Sequence, residues 1–115
     1  MKKILLGIAF LSITSAYAEF NLDRFNGDYS PKVKKCGLHI EISNTTLVTT
    51  AIKNKYYNKN CNQLGKTEIF ECNPSTGECE DIGSENKILL LTDGNLVFMN
   101  RMDPPNPENY KNFKH

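Results

Sequence analysis

Four cysteines, two histidines and 13 carboxylates are the side chains of this chain with chemical potential. Cys36, Cys61, Cys72 and Cys79 would suit a zinc cage, a redox couple, a nucleophile or two cross-links. No C-x-x-C pair occurs among them, and structural zinc sites and thioredoxin-like motifs are usually built on such pairs. His39 and His115 cannot supply the H-x-x-x-H spacing of a histidine metal site. There is no G-x-S-x-G, and no serine has a base placed beside it, so a hydrolase triad has no support. Glu68, Glu71, Glu78, Glu80, Asp81 and Glu85 form an acidic run with no base between Thr67 and Asn86. That run lacks the D-x-D-x-D-G spacing of a calcium loop. Paired glycosidase carboxylates need a cleft that a domain of this size rarely has. Neither a metal, a cofactor nor a catalytic activity is expected.

The meaning of the cysteines depends on compartment, and the first eighteen residues address it. Lys2 and Lys3 precede an apolar run, Ile4 to Thr14, of about a dozen residues, the length of a secretory core. Ala16-Tyr17-Ala18 then places small residues where signal peptidase cuts. A membrane-spanning helix needs about 20 apolar residues, so the run is too short for an anchor. Residues 1–18 are therefore expected to be a signal peptide, with Glu19 as the mature start in the periplasm or outside the cell. Four cysteines in a small exported domain read as two disulfides. Asn73-Pro74 and Thr76-Gly77 are turn signals that bring Cys72 back to Cys79, which favours the pairs Cys72–Cys79 and Cys36–Cys61. On a chain-entropy model these loops stabilise by about 2.5 and about 3.5 kcal/mol. Both matter in a domain whose total stability is about 5–10 kcal/mol.

Removing Lys2 and Lys3 from the 14 basic side chains leaves 12 against 13 acids. That near-neutral balance gives no reason to expect nucleic acid as a partner, or a membrane once the leader is cut. Charge is nevertheless segregated. Seven lysines and one acid, Glu41, lie between Lys32 and Lys66, ahead of the acidic run. The expectation is two solvated surfaces that attract each other across a sheet.

The elements that must position these residues read as short strands. Asn21 to Phe25 suits one helical turn. Leu38, Ile40 and Ile42 alternate with His39, Glu41 and Ser43, the period of a strand with one wet face. Thr46 to Ile52 is β-branched and reads as the return strand. Lys66 to Cys72 and Cys79 to Ile82 form a cross-linked hairpin. Asp93-Gly94, between Lys87–Thr92 and Asn95–Asn100, suits a type I′ hairpin turn. Leu89, Leu91, Val97 and Met99, or their out-of-phase neighbours, supply core. Asp103-Pro104-Pro105-Asn106-Pro107 ends the strands, because proline donates nothing to a ladder. The expected organisation is a β domain over residues 19–102 and a Pro-rich tail over 103–115. The fold class is all-β: an antiparallel meander or small barrel of six to seven strands.

Phe20-Asn21-Leu22-Asp23-Arg24-Phe25-Asn26-Gly27-Asp28-Tyr29 resembles the opening of lipocalin-like proteins. There a helical turn leads into a Gly-x-Trp motif on the first strand, and Tyr29 stands at the aromatic position. The resemblance implies an up-and-down barrel plugged by Tyr29 at one end and open to an apolar ligand at the other. It also makes Arg101 a candidate to stack on Tyr29. A second candidate surface is Lys55-Tyr56-Tyr57-Asn58-Lys59-Asn60, whose rings and polar donors suit a glycan, an anion or a protein. The sequence thus predicts a small exported, monomeric, non-catalytic binding or interaction module. Tyr29, Tyr56 and Tyr57 are its candidate ligand residues. The alternative is a lipocalin-like carrier of a small apolar molecule.

Overall fold

A computed structural model describes residues 20–57, 61–100 and 106–113. The leader, Glu19, Asn58 to Asn60 and Arg101 lie outside the described residues. Eight antiparallel strands, β1 (Gly27–Pro31), β2 (Gly37–Ser43), β3 (Thr46–Ile52), β4 (Thr67–Asn73), β5 (Glu78–Asp81), β6 (Asn86–Leu90), β7 (Leu96–Asn100) and β8 (Asn106–Asn112), follow one 3-10 turn, Leu22–Phe25. Each strand pairs with the next, and β8 returns to β1, so the sheet is a closed up-and-down barrel.

The alternation expected on β2 is expressed, and the expected return strand β3 alternates as well. Leu38, Ile40 and Ile42 on β2 and Leu47, Thr49 and Ala51 on β3 are buried. The β6–β7 hairpin uses a different turn from the one its Asp-Gly predicts. Leu90 pairs with Leu96 and Ile88 with Phe98. The loop is Thr92-Asp93-Gly94, with Gly94 at φ 94° and Leu91 N donating to Asn95 O at 2.9 Å. A three-residue loop with a left-handed glycine shifts the register by one relative to a two-residue turn. That shift sets Leu96 and Phe98, instead of Val97 and Met99, beside Ile88 and Leu90.

The strand count is eight, not six to seven, and the correction lies at the C-terminus. Residues read as tail contain β8, which pairs with β7 from Asn106 to Tyr110 and with β1 from Tyr110 to Asn112. Pro107 lies ahead of the β1 pairing, where β8 has β7 as its partner, and such single-sided strand positions tolerate proline. Tyr110 from this strand is 6 % exposed and joins the core. Eight strands fit into so short a chain because each is only four to seven residues long.

The closed end is packed solid. Phe25, Tyr29, Phe70, Ile88 and Leu96 are fully buried there and through the waist of the barrel. Tyr29 ties three elements together. Its hydroxyl donates to the Phe25 carbonyl at 2.8 Å and accepts from Asn112 Nδ2 at 3.1 Å, and its backbone pairs with β2. Burial pushes its phenol well above the ordinary range. Disulfide Cys72–Cys79 joins directly opposed residues of β4 and β5, and both sulfurs lie in the core. Replacing Tyr29 with Phe keeps the ring and removes both hydrogen bonds, leaving the buried Phe25 carbonyl short of a donor. The expected loss is about 1–2 kcal/mol in urea unfolding; an unchanged midpoint would contradict the role given to the hydroxyl.

Candidate binding site at the open end of the barrel

Up-and-down winding sorts the connections. The 3-10 turn and the loops after β2, β4 and β6 gather at the closed end. The loops after β1, β3 and β5 gather at the other end, which the described residues leave open. In the waist the inward positions are apolar, but toward the open end they turn polar. Thr49, Glu68, Asn86, Asn100 and Glu108, from five different strands, line a cavity of about 420 Å³. Leu38, Ala51, Phe98 and Tyr110 form its apolar wall. The size lies within the range of small-molecule sites.

The polar groups are partly spoken for. Asn86 Nδ2 donates to Glu68 Oε2 at 3.0 Å. Lys35 Nζ donates to Glu108 Oε1 at 3.0 Å. Asn100 makes no side-chain hydrogen bond among the described residues. Tyr110 lies beside Glu108 on the wall; burial chiefly, and then the Glu108 charge, push its phenol up to about 12. Lys34 and Lys66 also line the mouth, and neither has an ion pair among the described residues.

One rim loop is a built structure. Asn54 is 2 % exposed. Its Nδ2 donates to the carbonyls of Pro31, Val33 and Lys35 at 2.8–3.1 Å. Its Oδ1 accepts from Tyr56 N at 2.8 Å. One amide thus fastens the β3–β4 loop to the β1–β2 loop, and disulfide Cys36–Cys61 joins the same two segments. Tyr57 is 43 % exposed, with its hydroxyl donating to Lys32 O at 2.9 Å. Tyr56 turns edge-on to Phe113 at 4.9 Å, under the Lys32 ammonium. Its hydroxyl is buried without a hydrogen-bond partner among the described residues.

The structure does not gather Tyr29, Tyr56 and Tyr57. Tyr29 plugs the closed end, and Tyr56 and Tyr57 belong to the rim loop outside the barrel wall. The residues that line the cup were absent from the sequence-based candidates. Glu108 and Tyr110 lie in the stretch expected to be a Pro-rich tail, not a strand. Glu68 falls in the acidic run expected to be a solvated surface, and Asn86 lies one residue ahead of the strand expected from Lys87. The signal was the alternation Glu108-x-Tyr110-x-Asn112, one face of a strand. Among the described residues Lys35 pairs with Glu108 and Lys55 with Asp28, and no ion pair joins a lysine of residues 32–66 to the acidic run. Glu71 and Glu80 instead lie directly opposite each other on β4 and β5.

His39 stands on the outer wall. Its Nδ1 meets Asp28 Oδ1 at 2.7 Å, its Nε2 meets Glu41 Oε2 at 3.3 Å, and Lys55 Nζ reaches Asp28 Oδ2 at 3.3 Å. The hydrogen bond to Asp28 raises the His39 pKa above its ordinary value, against partial desolvation. For Asp28, burial alone would raise the pKa, but the hydrogen bonds from His39 and Lys55 outweigh it and the net shift is downward. All four cysteines are oxidised. Among the described residues no group of three or more His, Cys, Asp or Glu is arranged to hold a metal ion, and no helix is long and apolar enough to cross a membrane.

The fold and cavity define a small disulfide-linked β-barrel with a polar cup at its open end. No protein-family model, curated protein or solved structure matches this chain.

The raised His39 pKa means its contribution is fully present below about pH 6.5, the unfolded value, and is lost as pH rises through the folded value. The lowered Asp28 pKa means its contribution is present above about pH 4 and is lost as pH falls through its folded value. The pair therefore helps most between those limits, by less than about 1 kcal/mol because both groups are a third or more exposed. An NMR titration of the His39 ring is expected to give a pKa above 6.5 that Asp28→Asn lowers. A value unmoved by that substitution would break the assignment.

Proposed function

We propose that this protein is an exported, non-catalytic binding module whose cup holds a small polar molecule. The observation that carries this is the change of inward side chains along the barrel. An inward polar residue is costly unless it is satisfied or wet, and five strands each place one at the same end. A purely structural barrel would have continued the apolar packing that fills the waist. Export rests on the leader, and the two disulfides agree with an oxidising compartment.

The absence of catalysis in this reading also rests on placement. The His39–Asp28 pair faces away from the cup, and the cysteines are cross-linked. Glu68 and Glu108 already accept hydrogen bonds from Asn86 and Lys35, whereas a glycosidase needs a carboxylic acid that donates.

A lipocalin-like carrier is the second reading. The Tyr29 plug and the up-and-down winding support it, but the solid waist and polar lining favour a polar ligand over an apolar one. A partner protein at the rim draws support from Val33, Tyr57 and Leu64, which are 38 %, 43 % and 61 % exposed.

Titrating the labelled exported chain with polar and apolar probes separates these readings. Polar probes such as glucose and glucuronate are expected to shift the side-chain amides of Asn86 and Asn100. Shifts produced by dodecanoate alone, centred on Ile40 and Phe70, would favour the apolar carrier and overturn the proposal.

A further inference from the structure

We infer that the cup takes a polyol bearing a carboxylate, that is, a sugar acid or the acidic end of a glycan. The inference rests on the cup being a polar binding site, and it concerns the charge and hydroxyl content of what binds there.

The charges of the cup are unevenly paired. Glu108 is held by Lys35 at 3.0 Å, and Glu68 by the Asn86 amide at 3.0 Å. Lys34 and Lys66 line the same mouth and have no ion pair among the described residues. Among the described residues the lining therefore carries three ammonium groups against two carboxylates, and Lys34 and Lys66, the ammonium groups without an ion pair there, are at the entrance, while Glu68 keeps its charge beside a neutral amide. An anionic group on the ligand gains from that position, and a cationic one is repelled there.

The lower cup is dominated by acceptors. Carboxylates accept hydrogen bonds and cannot donate, while side-chain amides do both. Glu68, Glu108, Asn86 and Asn100 thus form a set rich in acceptors, matched by a ligand with several hydroxyl donors. A second anionic group placed deep in the cup would face Glu68 and Glu108, so the negative charge belongs on one end of the ligand. Phe98 and Tyr110 offer ring surface to the C–H face of a pyranose. One carboxylate at the mouth and a hydroxyl-rich ring inside satisfy all three features.

The test compares three probes of one shape on the exported chain at low salt: glucuronate, glucose and glucosamine. Affinity is read from the Asn86 and Asn100 side-chain amide shifts. Glucuronate is expected to bind at least about tenfold more tightly than glucose, a difference of about 1.4 kcal/mol, with glucosamine weakest. Raising the salt to about 1 M, where the Debye length falls to about 3 Å, is expected to narrow the preference. Lys34→Ala combined with Lys66→Ala is expected to bring glucuronate down to the level of glucose. Lys53→Ala, at an exposed lysine that does not line the cup, is expected to leave the preference intact. If glucose or glucosamine binds as tightly as glucuronate, the acidic-ligand inference falls while the polar cup stands. If none of the three shifts those amides, both fall.

Discussion

Closure of the sheet by β8 against β1 is the constraint on which everything else depends. Without it the barrel has two open edges, and unpaired strand edges invite association with other chains. With it, every strand has two neighbours, and the inward faces of all eight surround one interior. Tyr110 enters the core, and Glu108 enters the cup, only because β8 is in the ladder. The contact is short, running from Tyr29 to Pro31 on one side and Tyr110 to Asn112 on the other. The Asn112 side chain reinforces it, its amide reaching the Tyr29 hydroxyl, while the Asn112 backbone N–H ties β8 to the β6–β7 connection at Asn95 Oδ1, 2.9 Å away.

The two ends of the barrel solve opposite problems. At the closed end a small domain must bury enough apolar surface to be stable, and the Tyr29 plug, the 3-10 turn and Cys72–Cys79 concentrate cohesion there. At the open end the loops are held by other means. Asn54 satisfies three carbonyls of the neighbouring loop, and Cys36–Cys61 secures the same junction. This fastening lets the rim carry lysines and exposed apolar side chains without relying on the core, and the interior is polar where Glu68, Asn86 and Asn100 line it.

The closed end was the more legible half. Alternation on β2, the β-branched run of β3 and the turn residues between Cys72 and Cys79 each reflect a local rule, and local rules are visible in sequence. The hairpin at Asp93-Gly94 was visible as a turn but not in its register, because Asp-Gly serves both a two-residue loop and a three-residue loop with a left-handed glycine. β8 was hidden for a physical reason. Among the described side chains of Asn106-Pro107-Glu108-Asn109-Tyr110-Lys111-Asn112 only Tyr110 adds apolar surface to the core, since Glu108 faces the polar cup and Asn112 bonds the plug. A strand that lines a polar site lacks the hydrophobic period by which strands are recognised. The cup was missed with it, because its residues become neighbours only when the barrel closes.

Hydrogen exchange of the β1 and β8 backbone amides tests closure most directly. The amides of β8 that pair with β1 and β7 are expected to exchange only by global unfolding, as slowly as those of β2 and β3. Exchange of the β8 amides as fast as that of exposed loops, while β2 and β3 stay protected, would contradict a closed barrel and remove the cup with it.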